Sequence, residues 1–279
     1  MSAAVFFAVL AAAAMHASWN ALLKVQGDRF IAVLLISFGM GVAALPLLPF
    51  VAVPQGITWA WVAASMCLQI GYKYFLTRAY ETGDLAVAYP LARGTAPLLT
   101  SLGSAILLGE VPGPVAILGI VLLCLGVLLM SLRRRGDAFG GRSVVFALVT
   151  SGFIAAYTLT DGIGARSALD AFSYIAWLFV LDGLASLALC VALRGGRVLP
   201  AMQREWKTVL GGGFLGAMAY GISVWAMTKA PIAAVAALRE TSILFAMILS
   251  VCMLGETISR RRVLAGLVIV TGVLALRLG

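Results

Sequence analysis

Long apolar runs separated by short polar joints recur along the whole chain, and their lengths predict helices near residues 4–24, 30–52, 57–80, 84–109, 112–131, 143–164, 170–193, 206–228, 231–254 and 261–277. Each run approaches the roughly 20 residues that an α-helix needs to cross a hydrocarbon core of about 30 Å. The expected fold is an all-α polytopic membrane protein with ten transmembrane spans.

A second pattern lies over the first. At a displacement of 146 residues, Leu238-Arg239-Glu240-Thr241 echoes Ala92-Arg93-Gly94-Thr95, Gly255-Glu256 echoes Gly109-Glu110, and Gly272-Val273-Leu274 echoes Gly126-Val127-Leu128. The chain therefore divides into two copies of five spans, residues 1–132 and 143–279, joined by the basic connecting loop 133–142. Five is odd, so the second copy enters the membrane from the opposite side. Such a 5+5 inverted repeat is a transporter pattern, with the site between the copies.

Composition agrees and removes other classes. With 62% hydrophobic and 11% charged residues, there is too little polar surface to coat a soluble globule of 279 residues. A net charge of +9 would suggest nucleic acid in a soluble chain, but these cations sit mostly in short loops. The loops after the odd-numbered spans hold Lys24, Arg29, Arg78, Arg133, Arg134, Arg135, Arg142, Arg194, Arg197, Arg204, Lys207, Arg260, Arg261 and Arg262. The opposite side has Arg166, Lys229 and Arg277. The positive-inside rule then expects the odd loops in the cytoplasm and both termini outside. No Lys or Arg precedes the first apolar run, which reads as a retained helix. The four cysteines fall inside apolar spans without metal-type spacing, and no metal or cofactor is expected.

The chemistry is carried by polar residues inside these spans. Arg93 stands about 14 Å into the fourth span and Arg239 about 12 Å into the ninth. A guanidinium cannot shed its proton at accessible cost, so each needs an internal acid or an anionic ligand group. Glu240, Asp182 and Asp161 could supply the first, and a carboxylate or phosphonate the second. Adjacent on a helix, Arg239 and Glu240 point about 100° apart and must each look elsewhere. Asp182, near the centre of the seventh span, suggests either proton coupling or a pair with an arginine, and Asp161 and Glu240 share that coupling candidacy. In the first span His16, Trp19, Asn20 and Leu23 share one face, either lining a cavity or bonding a neighbouring helix. Lys73 is expected to snorkel to the surface. Pro90 and Pro97 should loosen the fourth span around Arg93 and make it the pliant copy, because the ninth has Ala236 and Ile243 at those places.

The ten-span inverted repeat, Pro97 with the closing Gly109-Glu110, and Gly255-Glu256 followed by Gly272 resemble the drug/metabolite transporter superfamily, specifically the EamA-type permeases. The resemblance implies a multi-pass permease of the bacterial inner membrane, often an exporter of amino acids or other metabolites, with alternating access around a central cavity. It further implies substrate contacts from His16, Trp19, Asn20, Tyr74, Arg93, Tyr157, Tyr220 and Arg239. Many such permeases have cytoplasmic termini, whereas the cation count here argues the reverse. The implied partners are a small-molecule substrate and the bilayer, with protons as the candidate coupling ion and no nucleic acid.

Three other readings compete. Organic cations or drugs could leave through the acidic residues. An intramembrane enzyme would need an acid–base constellation, yet H-E-x-x-H and G-x-S-x-G are absent and His16 is the only histidine. A channel would show rows of like polar residues along a pore. The sequence sets neither the oligomeric state nor the direction of flux.

Overall fold

The computed structural model describes residues 1–23, 29–82, 85–131, 141–254 and 258–279, with side chains described outside 22–29, 80–89, 131–140 and 253–257. Its helices are α1 (Ala3–Leu23), α2 (Arg29–Ala44), α3 (Ile57–Thr82), α4 (Leu85–Leu108), α5 (Pro114–Ser131), α6 (Gly141–Ser167), α7 (Ala171–Arg194), α8 (Val198–Arg204), α9 (Trp206–Met227), α10 (Ile232–Arg239), α11 (Ser242–Leu254) and α12 (Arg260–Leu278). No strand occurs among the described residues. Seven segments are long and apolar enough to cross a membrane, and Pro114–Met130 is apolar but shorter. The third and tenth spans are α3, diluted by Lys73 and Arg78, and α12, diluted by the arginines at its two ends. Gly255-Glu256 and most of the inter-repeat loop lie outside the described residues.

Three departures from the sequence reading have local causes. The second span leaves the α-helix at Ala44 and continues as a tighter 3-10 turn over Leu45–Phe50, where Pro46 and Pro49 lack amide donors. A short helix, α8, interrupts the loop after the seventh span. The ninth span is two helices, α10 and α11, rather than one.

Packing follows the repeat. Helix α1 lies on α9, α3 on α6, α2 on both α7 and α9, α3 on α7, α4 on α6, α1 on α11, and α5 on α12. Replacing every span by its counterpart five spans along maps this set onto itself, whereas the packing of α4 on α5 has only a slight counterpart between α10 and α12. The contact α1–α9 becomes α6–α3, α2–α9 becomes α7–α3, and α4–α6 becomes the packing of α11 on α1. The two copies are thus related by a pseudo-two-fold axis, as an inverted repeat requires.

The α5–α12 seam shows what holds the copies together. A Cβ on Gly119 would meet the Gly272 carbonyl oxygen at 2.9 Å, and one on Gly272 would meet the Gly119 carbonyl oxygen at 2.9 Å and the Leu123 amide at 2.8 Å. The two backbones are in contact. Lipid provides no hydrophobic force between helices, so association depends on this close approach. Gly272→Val should lower the midpoint of thermal unfolding by forcing the helices apart, at the scale of about 1–3 kcal/mol for overpacking. Gly152→Ala, where a Cβ meets nothing within 4 Å, should leave the midpoint unchanged in the same melt.

Candidate functional site

The site is built on the break in the ninth span. Helix α10 ends at Arg239 and α11 begins at Ser242. Between them the Glu240 amide donates to the Ala237 carbonyl at 3.0 Å and the Thr241 amide to Leu238 at 3.1 Å, closing turns one residue tighter than an α-helix. The Thr241 hydroxyl donates to the same Leu238 carbonyl at 2.7 Å. The proline-bearing counterpart, α4, runs unbroken through Pro90 and Pro97. This reverses the expectation that the fourth span would be the loosened one. Two adjacent charged side chains, both buried, must be directed to different partners, and the tight turn does this in the second copy.

One of the two reaches across the repeat. The Arg93 Nε donates to Glu240 Oε2 at 3.0 Å, and Nη2 stands 3.0 Å from Oε1, an ion-pair contact off the line of a hydrogen bond. Both side chains are 6% exposed. A charge so placed is tolerated because it is paired. The first-copy arginine is therefore neutralised by the second-copy glutamate.

The second-copy arginine has no such contact, although Glu240 is also within its electrostatic reach. Arg239, 8% exposed, packs its guanidinium carbon 4.9 Å from the centroid of the Tyr220 ring. Among the described residues it forms no ion pair with a carboxylate. A cation–π contact offers about 0.5–2 kcal/mol and leaves all the guanidinium N–H groups free to donate in the ring's neighbourhood.

Around the arginines stands an aromatic wall. Tyr157 lies 5.5 Å from Tyr72 and 5.9 Å from Tyr220, centroid to centroid, all edge-on. Both arginines lie within electrostatic reach of the Tyr157 phenol, which has no hydrogen-bond partner among the described residues. Tyr220 donates its hydroxyl to Asp161 Oδ2. The Tyr174 hydroxyl donates to Oδ1 at 2.9 Å, and Ser65 also hydrogen-bonds this carboxyl. Asp161 is fully buried and, among the described residues, satisfied by hydroxyls with no cation.

Helix α1 closes the group. The Trp19 indole N–H donates to His16 Nδ1 at 3.3 Å, which fixes the imidazole as the tautomer with its proton on Nε2. Arg93 and Arg239 are electrostatic neighbours of this ring. The Asn20 amide donates back to the His16 carbonyl at 2.9 Å. All three side chains are half-buried. The Leu23 side chain lies outside the described residues.

Two residues stand elsewhere. Tyr74 is 41% exposed on the outside of α3, beside Phe75 and Arg78, and takes no part in the cluster. Its neighbour two positions back, Tyr72, is the tyrosine that faces inward, since positions two apart on a helix look nearly opposite ways. Lys73 does not snorkel. Its ammonium is buried, 2.8 and 2.6 Å from the two Asp182 oxygens and 2.7 Å from the Ser186 hydroxyl. Asp182 thus carries an ion-pair partner, a lysine rather than an arginine, in a link between α3 and α7. Lys73, Tyr72 and Tyr174 belong to the polar interior, yet the sequence places Lys73 at the surface, favours Tyr74 over Tyr72 where at most one of them can face a ligand, and does not single out Tyr174 at all. Only their positions inside apolar spans could have marked them.

A third ion pair lies at the edge of the bundle, on the face holding the loops after even-numbered spans. Glu110 Oε1 contacts Arg166 Nη1 at 2.5 Å. Its Oε2 accepts from the Ser104 hydroxyl at 2.9 Å and the Ile232 amide at 3.2 Å. Arg166 also donates to the carbonyls of Met227 at 2.8 Å and Ala230 at 3.0 Å. This latch ties the α4–α5 loop, the end of α6 and the α9–α10 loop. Partial burial pushes the Glu110 carboxyl up, but the hydrogen bonds from Arg166, Ser104 and Ile232 outweigh it and hold it below its ordinary 4.5.

Two outcomes follow. Breaking one side of the Lys73–Asp182 pair with Asp182→Asn should cost about 3–5 kcal/mol of stability, while the joint change Lys73→Met, Asp182→Leu should recover most of it in thermal melts. Because the Glu110 pKa is depressed in the folded state, its contribution is present above its ordinary value and lost as pH falls through the folded one. Melting of the wild type should therefore decline in acid below about pH 4.5, and Glu110→Gln should remove that part of the decline.

The EamA-like transporter family model matches residues 3–132 and again 142–278. A solved structure, described only as the crystal structure of a protein, is similar over 98% of this chain and 96% of its own, with 20% identity and a TM-score of 0.79. That likeness concerns the fold. No curated protein matches the sequence. With one family model covering both halves of the chain, this polytopic membrane protein belongs to the EamA-like transporter family, and is a transporter rather than an enzyme.

Proposed function

We propose that the chain carries a small polar metabolite bearing a carboxylate or phosphonate, amino-acid-like compounds included, and that the anionic group binds at Arg239. The observation that carries this reading is the asymmetry of the two arginines. Arg93 has its counter-ion in direct contact in Glu240, whereas Arg239, equally deep, makes no ion-pair contact among the described residues: it lies over the face of Tyr220, with Glu240 only a more distant electrostatic neighbour. A desolvated guanidinium without a carboxylate is a built anion site. The Tyr157 hydroxyl and the His16 Nε2 proton supply neutral donors beside it, and the Trp19 indole covers the space. The interrupted helix supports the same reading, since transporters commonly place substrate at such breaks. The rival cargo, an organic cation, finds Glu240 and Asp182 already held by Arg93 and Lys73, and Asp161, which has no cation partner among the described residues, already accepting from the hydroxyls of Tyr174, Tyr220 and Ser65.

Transport proceeds in this proposal by alternating access, with net export across the inner membrane of a bacterium. The Glu110–Arg166 latch closes the even-numbered face, and substrate leaves when it opens. The position matching Arg166 in the first copy is Asn20, so the repeat places no second arginine at the corresponding point of the opposite face.

Thermal stabilisation of the purified protein by glutamate, 2-aminoethylphosphonate and choline tests the substrate class. A saturating anionic ligand at 100 times its Kd adds about 2.7 kcal/mol to the wild type. The shift should appear with one of the two anions, vanish in Arg239→Gln, and be absent with choline. Stabilisation by choline in both proteins, or an anion shift unchanged by the substitution, would refute the assignment.

A further inference from the structure

A separate cavity of about 550 Å³ opens between α2, α8 and α9, on the face that holds the loops after odd-numbered spans. Its size is that of a small-molecule site. Ile31, Leu35 and Ile36 from the first turns of α2, with Val209 from α9, give it an apolar floor. Arg197, Arg204 and Glu205 supply its charged lining, two cations against one acid. These arginines are seven residues apart on the segment of α8, so they project from one side of it, about 10 Å apart along the axis.

The surroundings describe a segment lying at the bilayer interface. Leu199 and Trp206 are exposed apolar side chains, and Lys207 sits 5.7 Å from the Trp206 ring centroid. Arg194 packs 4.8 Å from the centroid of Phe30 at the start of α2. Between residues 194 and 207 there are four cations, Arg194, Arg197, Arg204 and Lys207, against the single acid Glu205. Glu205 touches Arg204 Nε at 2.9 Å, but that pair is exposed and worth little against a better partner.

We propose that this groove binds one anionic phospholipid, its phosphate held between Arg197 and Arg204 and an acyl chain lying over Ile31, Leu35, Ile36 and Val209. Both halves of the ligand are required by the site. The rim needs net negative charge, which a zwitterionic headgroup lacks, and the floor needs a hydrocarbon chain, which a free phosphate lacks. The lipid would staple α8 to α2 and α9, away from the transport site.

The test is thermal unfolding in neutral detergent with added phosphatidylglycerol, phosphatidylcholine of the same chains, or inorganic phosphate. Phosphatidylglycerol alone should raise the midpoint of the wild type by several degrees. Arg197→Gln with Arg204→Gln should lose the shift, Glu205→Gln should enlarge it by freeing Arg204, and Arg239→Gln should keep it, which separates this site from the proposed transport site. Retained lipid counted by native mass spectrometry on the single variant Arg204→Gln should fall relative to wild type, whether or not the double variant folds. Equal shifts with phosphatidylcholine or with phosphate would overturn the proposal. So would a full shift in the double variant or undiminished lipid retention in Arg204→Gln.

Discussion

A guanidinium in a membrane interior keeps its charge and must therefore find an anion. That constraint shapes the middle of this protein. Arg93 meets it with a glutamate from the opposite repeat, in a buried pair that crosses the pseudo-two-fold axis. Arg239 occupies the matching place in the second copy, but the position matching Glu240 in the first copy is Gly94. The repeat thus supplies two cations and one anion at this depth. In the proposed reading, the balancing charge is the one that a cargo brings.

The contacts around this centre fall into two physical kinds. The α5–α12 seam is backbone on backbone, short-ranged and without freedom to slide, because any separation forfeits the whole contact. The Glu110–Arg166 latch is partly exposed and made of hydrogen bonds that water can replace one by one. Seams of the first kind suit parts that move as one body, and latches of the second suit the closure between them. The Lys73–Asp182 pair belongs with the rigid parts. It is buried, removing either partner would strand a charge, and it links α3 to α7.

Much of this was legible in the chain. The apolar runs and the 146-residue displacement specify ten spans in two inverted copies, and the depth of Arg93, Arg239 and Glu240 marks the central level. What could not be read was direction around a helix and partnership across the bundle. Tyr72 and Tyr74 are equally plausible from spacing, and only packing against Tyr157 turns the first inward. Lys73 sits close enough to a predicted helix end to snorkel, and only the position of Asp182, more than a hundred residues away, draws it inside. The prolines of the fourth span are a strong local signal for a break, yet tertiary packing keeps α4 continuous. The real interruption, at Glu240 and Thr241, has no breaker residue and arises from where two adjacent charges must go.

The central claim is that Arg239 receives the anionic group of the transported molecule. Its most direct test is uptake into proteoliposomes of a carboxylate substrate and its uncharged amide analogue, by the wild type, Arg239→Lys and Arg239→Gln. Loss of one charge-assisted contact of about 1.5–3 kcal/mol corresponds to roughly ten- to hundredfold. The account predicts that the carboxylate moves and the amide does not. Carboxylate flux should drop by about that factor in the glutamine variant and recover in part with lysine. Equal flux of the two analogues, or undiminished carboxylate flux in Arg239→Gln, would contradict it.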